Sequence, residues 1–268
     1  TAAIQWVFVK PTSDPSDAVA SAGGDRDLSA AYLTLPTVER ADLFNDGPTA
    51  LSAVLRYLGH TTNQYAIQLS LRAGYTAPNP DLEALAAYVT PHHPDLTALR
   101  RLNGTEEQLA ALLDLELPIL IPTLSHDWLP SYLDDDFLIR RYVVVFGKDD
   151  LSDTFSLRDP SKGDRHGIPT SELMESWYPF GREYLVVVPT DRLSEVESAL
   201  GEDADERRNR ERAIEKAERD VANLPMNVYA RLNLVSALSE NERYRDAVEA
   251  FHAAANLRLP MRLNDFVP

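Results

Sequence analysis

Apolar residues change their spacing near Leu117, and that change sets the fold class. Upstream, Leu51, Val54, Leu55 and Leu58 fall at i, i+3, i+4 and i+7, the pattern of a helix buried along one face, and Gly59 supplies a stop. The spacing predicts further helices over Gln64–Ala73 and after Asp81, where Leu82, Leu85 and Val89 share a face. Another follows Thr105, because Thr105 and Gln108 make a capping-box pattern ahead of Leu109, Leu112 and Leu113. Downstream, Pro118–Thr123, Tyr142–Phe146, Thr154–Leu157 and Tyr184–Val188 have the composition of strands, with Asp149–Asp153 as a turn. Helices first and strands afterwards predict an α+β domain. Its sheet is expected to be antiparallel, since no long helical pattern separates the later strands.

Charge and composition narrow the function classes. The 268 residues include 26 basic and 42 acidic side chains, a formal net charge of −16. Such a balance repels a phosphate backbone, so nucleic acid is not an expected partner. With no cysteine, the chain has no disulfide, thiolate metal site, iron–sulfur cluster or thiol chemistry. No apolar run approaches the roughly 18 residues of a membrane span. Ala2–Val9 is too short for a signal-peptide core with flanks. It reads either as an edge strand or as the last turns of a removed membrane anchor. The anchor implies an extracytoplasmic or cell-surface protein, and a cytoplasmic one is the alternative. Residues 10–30, rich in Pro, Ser, Asp and Gly, read as a linker. The expected divisions are therefore 1–34, 35–190 and 191–268.

The last division is helical, and its charged stretch 202–220 is expected to be a solvated face. Asn227–Pro260 spans 34 residues and resembles a tetratricopeptide repeat. Asn233-Leu234, Ala237-Leu238, Tyr244, Ala247, Phe251, Ala254 and Pro260 carry the resemblance. Ala213 stands 34 residues before Ala247, within Arg212–Leu224, which resembles the second helix of a preceding repeat. The alanines let the helices approach, and Tyr244 and Phe251 are expected to fill the space between pairs. About three repeats are normally needed for a continuous core. Leu234, Leu238, Tyr244 and Phe251 are therefore expected to meet the first domain or a partner protein.

Phe44–His60 (FNDGPTALSAVLRYLGH) resembles the nucleophile segment of papain-like cysteine peptidases of the bacterial, bacteriocin-processing, double-glycine-leader type (family thirty-nine). The order of later segments fits the same family. Leu117–Ile121 looks like the strand after its Gly-Pro-Val-type turn. Arg141–Asp150 looks like its His-Tyr-Val-Val-Val strand, and Arg158-Asp159-Pro160 like its third catalytic element. Trp177 and Tyr184–Pro189 match its closing Trp and last strand. The resemblance covers roughly residues 35–190 and implies a papain-like fold with a groove for an extended chain.

The departures are chemical. Asp46 stands where the family has its nucleophilic Cys, Arg141 where it has its general-base His, and Arg40 where a Gln supplies the oxyanion hole. Only Asp159 stays in place. A carboxylate is a poor nucleophile toward an amide, and an arginine with a pKa above about 12 cannot act as a base. These replacements imply a pseudopeptidase, not an enzyme, that binds a polypeptide or serves as a subunit of a larger assembly. Asp46 is expected to cap its helix, either alone or while also pairing with Arg141, for which Asp159 is a second acceptor. The alternative is a hydrolase with relocated chemistry on an Asp46–Asp159 carboxylate pair.

Other candidates carry less. His92-His93 precedes Pro94 in an expected loop and lacks a third ligand at helical or hairpin spacing. His126-Asp127 lacks an evident nucleophile. Asp134-Asp135-Asp136 lacks the alternating ligands and Gly of a calcium loop. Ser125 and Ser131 sit in no Gly-x-Ser-x-Gly context, and there is no phosphate loop. No cofactor or metal is expected.

Overall fold

The computed structural model describes residues 30–42, 45–71, 80–124 and 140–257. Ala2–Val9, most of the linker, Phe44, Ser125, His126-Asp127, Ser131, Asp134–Asp136, Pro260 and Leu263–Pro268 lie outside the described residues.

Among the described residues, seven strands form one antiparallel sheet: β1 (Ala30–Tyr32), β2 (Leu96–Arg101), β3 (Ile119–Leu124), β4 (Arg140–Asp149), β5 (Thr154–Asp159), β6 (Gly163–Pro169) and β7 (Tyr184–Pro189). Their order is β2-β7-β3-β4-β5-β6, with β1 beside the far end of β4. The first helices are α1 (Asp46–Tyr57), α2 (Gln64–Ser70), α3 (Leu82–His92) and α4 (Glu106–Asp114). Then come α5 (Thr170–Trp177) and α6 (Leu193–Leu200). Among the described residues, no helix is long and apolar enough to cross a membrane.

The sheet is buried on both sides because successive strand residues face opposite ways. Tyr142, Val144 and Phe146 pack with Leu51, Val54, Leu55, Leu85 and Val89 of α1 and α3. Val143 and Val145 pack with Leu109 and Leu112 of α4, Leu173 and Trp177 of α5, and Val196 of α6. β4 is therefore apolar along most of its length, which the YVVVF run already displays. All residues from Asp46 to Leu55 are buried, so α1 is a central helix rather than a surface one. Gly47 lets it sit this close: a Cβ there would lie 3.1 Å from the Tyr142 ring and 3.2 Å from Leu85.

Several local expectations need correction. The division 1–34 includes β1, which starts at the last linker residue and whose Tyr32 pairs with Gly147. His92 is not in a loop but ends α3, and His93 caps it. α2 ends at Ser70, before Ala73. β2 and β6 have no alternating apolar pattern: β2 ends in Arg100-Arg101, and β6 is an edge strand with only Ile168 buried. The predicted capping box forms, with Thr105 Oγ1 accepting from Gln108 N at 3.2 Å and Gln108 Oε1 accepting from Thr105 N at 3.1 Å.

The C-terminal part is helical, with α7 (Glu206–Asn223), α8 (Val228–Glu240) and α9 (Tyr244–Ala255). The charged stretch is not solvated all round. Asn209, Ala213, Ile214 and Ala217 of α7 are buried, as is Asp203 before it. Ala213, Ile214, Ala217, Ala237, Leu238 and Ala247 share one cluster with Leu102 of the first domain, and Leu234 packs against it. Tyr244 departs from its expected role: it is 64% exposed and fills no interhelical space. Phe251 is half-buried.

Polar contacts fasten these helices to the sheet domain. Asn209 accepts from Leu102 N through Oδ1 and donates to Leu102 O through Nδ2, both at 2.9 Å, occupying the backbone just past the β2 edge. Asn233 Nδ2 donates to Tyr178 O at 2.8 Å. Arg100 of β2 grips Glu240 of α8 bidentately, at 2.9 and 2.6 Å, and also contacts Glu183.

Candidate functional site

The N-terminus of α1, the start of β4 and the end of β5 meet at one point, and each contributes a charged residue. Asp46 lies in the first turn of α1 and is 1% exposed. Arg141, near the start of β4, and Asp159, the last residue of β5, are each 8% exposed. Arg141 Nε stands 3.6 Å from Asp46 Oδ2, and its Nη2 stands 3.9 Å from Asp159 Oδ1. The same Nη2 donates to Ser161 Oγ.

Asp46 does not cap its own helix, contrary to expectation. The N-cap residue is Asn45, and the Asp46 carboxylate turns across to β4, accepting from Tyr142 N at 2.7 Å. The ladder between β4 and β5 begins at Val144 with Arg158, so the Tyr142 amide lies beyond its paired stretch. A buried amide needs an acceptor, and the carboxylate supplies it. Asp159 closes the turn after β5, accepting from Ser161 N at 2.7 Å and Lys162 N at 3.2 Å.

Arg40 reaches the site only through its backbone. Its side chain is exposed, while its carbonyl accepts from Gln64 Nε2 at 3.0 Å. Gln64 is the residue that sequence reasoning missed. Fully buried, its Oε1 stands 2.6 Å from Asn45 Nδ2, 3.0 Å from Thr49 Oγ1 and 3.2 Å from Asp42 N. It thereby ties α2 to the chain entering α1. A polar residue at the first position of a helix gives no sequence signal of such burial. Ala41 N, bonded to Pro160 O at 2.9 Å, fastens the same entry strand to the Asp159 turn.

One guanidinium between two carboxylates is a buried set in which the single positive charge offsets only one of the two negative ones. Burying three charges is costly unless they are paired and hydrogen-bonded, and each carboxylate here also accepts from backbone amides. The set can hold three chain segments together. It offers no thiolate and no imidazole. Among the described residues, no group of three or more His, Asp or Glu side chains is arranged to hold a metal ion.

Of the tail residues predicted to pack, Leu238 is buried and Leu234 and Phe251 are partly so, whereas Tyr244 of α9 faces outward at 64% exposure, with Val248 beside it at 55%.

No protein-family model matches the chain, and no curated protein matches it. Among solved structures, a C39-like peptidase from Bacillus anthracis is similar over 60% of this chain and 98% of its own, at 17% identity and a TM-score of 0.47. A double glycine motif protease from an AMS/PCAT transporter, solved with its leader peptide, is similar over 60% of this chain and 95% of its own, at 17% identity and a TM-score of 0.39. The peptidase domain of Streptococcus ComA, a bi-functional ABC transporter of a quorum sensing pathway, is similar over 56% of this chain and 94% of its own, at 15% identity and a TM-score of 0.41.

Proposed function

We propose that this chain is a pseudopeptidase: a peptidase-like domain that has given up catalysis and serves as a protein-interaction subunit, with the tetratricopeptide-like tail as part of its binding surface. The observation that carries the proposal is the buried Asp46–Arg141–Asp159 set, whose members the sequence resemblance assigns to the places of Cys, His and Asp. A guanidinium is no general base, so an arginine at this place cannot take a proton from a nucleophile. Asp46 is 1% exposed and already accepts the Tyr142 amide, so its oxygen is not presented to a scissile bond.

The same geometry weighs against the carboxylate-pair hydrolase. Such a pair works as acid and base when its two members are held in different protonation states. Here one guanidinium stands against both Asp46 and Asp159, at 3.6 and 3.9 Å, so the charge that faces them does not set the two apart. For the interaction role, the supporting observation is α9, which presents Tyr244 and Val248 to solvent one turn apart.

The test is incubation of the purified chain with an unfolded protein and with double-glycine peptides, followed by mass spectrometry and by a binding isotherm for the uncut peptides. The expected result is binding without cleavage. Reproducible turnover that disappears in Asp46→Ala would overturn the pseudopeptidase reading.

A further inference from the structure

Away from the charged set, the far ends of α1 and α3 are joined by two imidazole rings. α1 closes on a left-handed Gly59, at φ +89°, with Gly59 N bonded to Arg56 O and His60 N to Leu55 O, the paired bonds of a Schellman turn. That turn sets His60 against His93, the residue capping α3. Their Nδ1 atoms lie 3.0 Å apart and their rings meet edge-on at 75°. His60 Nε2 stands 3.1 Å from Asp95 Oδ2, whereas His93 Nε2 is buried with no hydrogen-bond partner among the described residues. A cleft of about 750 Å³ runs alongside, lined among others by Glu39, Arg56, Thr62 and Tyr88.

Proton counting shows what this arrangement tolerates. Two nitrogens 3.0 Å apart share one hydrogen, so one Nδ1 donates and the other accepts. Asp95 accepts only, so His60 Nε2 carries the second hydrogen. Two hydrogens on four nitrogens leave both rings neutral. A third hydrogen has one place to go, His93 Nε2, a buried nitrogen with no acceptor. A fourth would set two N–H groups against each other at the shared contact.

We propose that His60 and His93 form an acid-released latch that holds the C-terminal ends of α1 and α3 together near neutral pH and lets the cleft beside them open on acidification. The charged and titratable groups facing the pair fit this direction. Asp95 accepts from His60 Nε2 and does not reach His93 Nε2. His92 adds a third ring; its Nδ1 donates to Tyr88 O at 2.7 Å and its Nε2 accepts from Ser70 Oγ at 3.0 Å when neutral. Arg56 and Glu39 line the same cleft with opposite charges. Burial first, then His60 and His92, hold His93 below the ordinary imidazole range, with Asp95 opposing. A folded-state pKa below the unfolded value of about 6.5 means that His93 contributes stability above that pH and loses it as pH falls toward the folded value.

The experiment compares the full chain with His93→Asn, whose amide can donate where Nδ1 does but cannot take a further proton. Thermal unfolding and backbone hydrogen exchange are followed from about pH 8 down to about pH 5, across the imidazole range. The latch requires the wild-type melting temperature to fall more steeply over this span than that of the variant. It also requires the amides at 55–60 and 89–96 to lose protection in the wild type first. Parallel pH profiles in the two proteins overturn it. If His93→Asn does not fold, the ring resonances of the wild type decide the matter alone. Titration of His93 below about 6.5 supports the latch, and titration at or above that value overturns it.

Discussion

Asp46 accepts the Tyr142 amide at 2.7 Å while standing 3.6 Å from the guanidinium of Arg141, the residue just before it on β4. One carboxylate thus serves the backbone and the side chain of adjacent residues. It occupies the point where the ladder between β4 and β5 has not yet begun. These contacts join α1 to β4, and their energetics can be measured.

Asp46→Ala removes the acceptor of a buried amide and one of the two carboxylates on Arg141. Breaking a buried ion pair from one side costs about 3–5 kcal/mol when a charge is left uncompensated; Arg141 keeps Asp159, so a loss of about 3 kcal/mol is expected, with the orphaned amide contributing part of it. Asp46→Asn keeps an acceptor for Tyr142 and loses only the charge, so it should cost about 1–2 kcal/mol less. Urea unfolding of both variants measures the difference. Equal losses would mean that the amide bond contributes nothing beyond the charge.

Gln64→Leu keeps the side-chain volume and deletes the acceptor shared by Asn45 Nδ2, Thr49 Oγ1 and Asp42 N. Each buried donor left unsatisfied costs about 1–3 kcal/mol, and donors sharing one acceptor do not add, so a loss of about 3 kcal/mol is expected. The damage should concentrate on the entry to α1, read as lost exchange protection of the Asn45 and Thr49 amides. A variant as stable as the wild type would show that these donors find water instead.

These two residues mark the limits of what the chain reveals before it is folded. Period and capping made α1, α3, α4 and four strands legible, because burial on one face or on both leaves a pattern in the apolar residues themselves. β2 and β6 left none. Arg100 and Arg101 serve the docked helices, with Arg101 donating to Asp203 O at 2.7 Å, and β6 borders solvent. The ordered motifs placed Asp46, Arg141 and Asp159 as candidates and offered their pairing as one expectation, but not the amides that each carboxylate accepts. Asp before Gly-Pro reads as a cap, and only the three-dimensional break between β4 and β5 turns its carboxylate toward Tyr142. His60 was invisible for a similar reason: its partner is 33 residues away and on another helix.

Gly104 has no room for even a methyl group. A Cβ there would lie 2.3 Å from Trp177 Cη2 and 2.9 Å from Tyr184 Cδ1, and both rings are fully buried. Trp177 cannot swing aside freely, since its indole N–H donates to Glu183 O at 2.7 Å. Overpacking of a closed core costs about 1–3 kcal/mol and more where backbone must move, so Gly104→Ala should fall at or above the top of that range. Thermal unfolding with near-ultraviolet circular dichroism checks it. An unchanged melting temperature would mean that α5 is not held in place by this contact.

The contact between Arg100 and Glu240 makes the attachment of α8 sensitive to pH, in a direction that follows from its partners. Burial pushes the Glu240 carboxyl up, but its hydrogen bonds and charge interaction with Arg100 outweigh this and hold it below the usual value. Glu183, on the other side of the same guanidinium, is dominated by burial and lies above it, with Arg100 opposing. A depressed carboxyl contributes stability above its unfolded pKa of about 4.3 and loses it as pH falls through the folded value, whereas a raised one contributes below that point and loses it as pH rises. Acidification therefore releases Glu240 from Arg100 while relieving Glu183. Glu240→Gln should lower the melting temperature near neutral pH, and the gap from wild type should narrow as pH falls below about 4. Limited proteolysis of the α7–α8 connection, at Leu224 and Met226, should quicken in the variant near neutral pH and in both proteins in acid. A gap that stays constant with pH would show that Glu240 is not ionised by its contact with Arg100, and that α8 is held instead by Leu238 and Asn233.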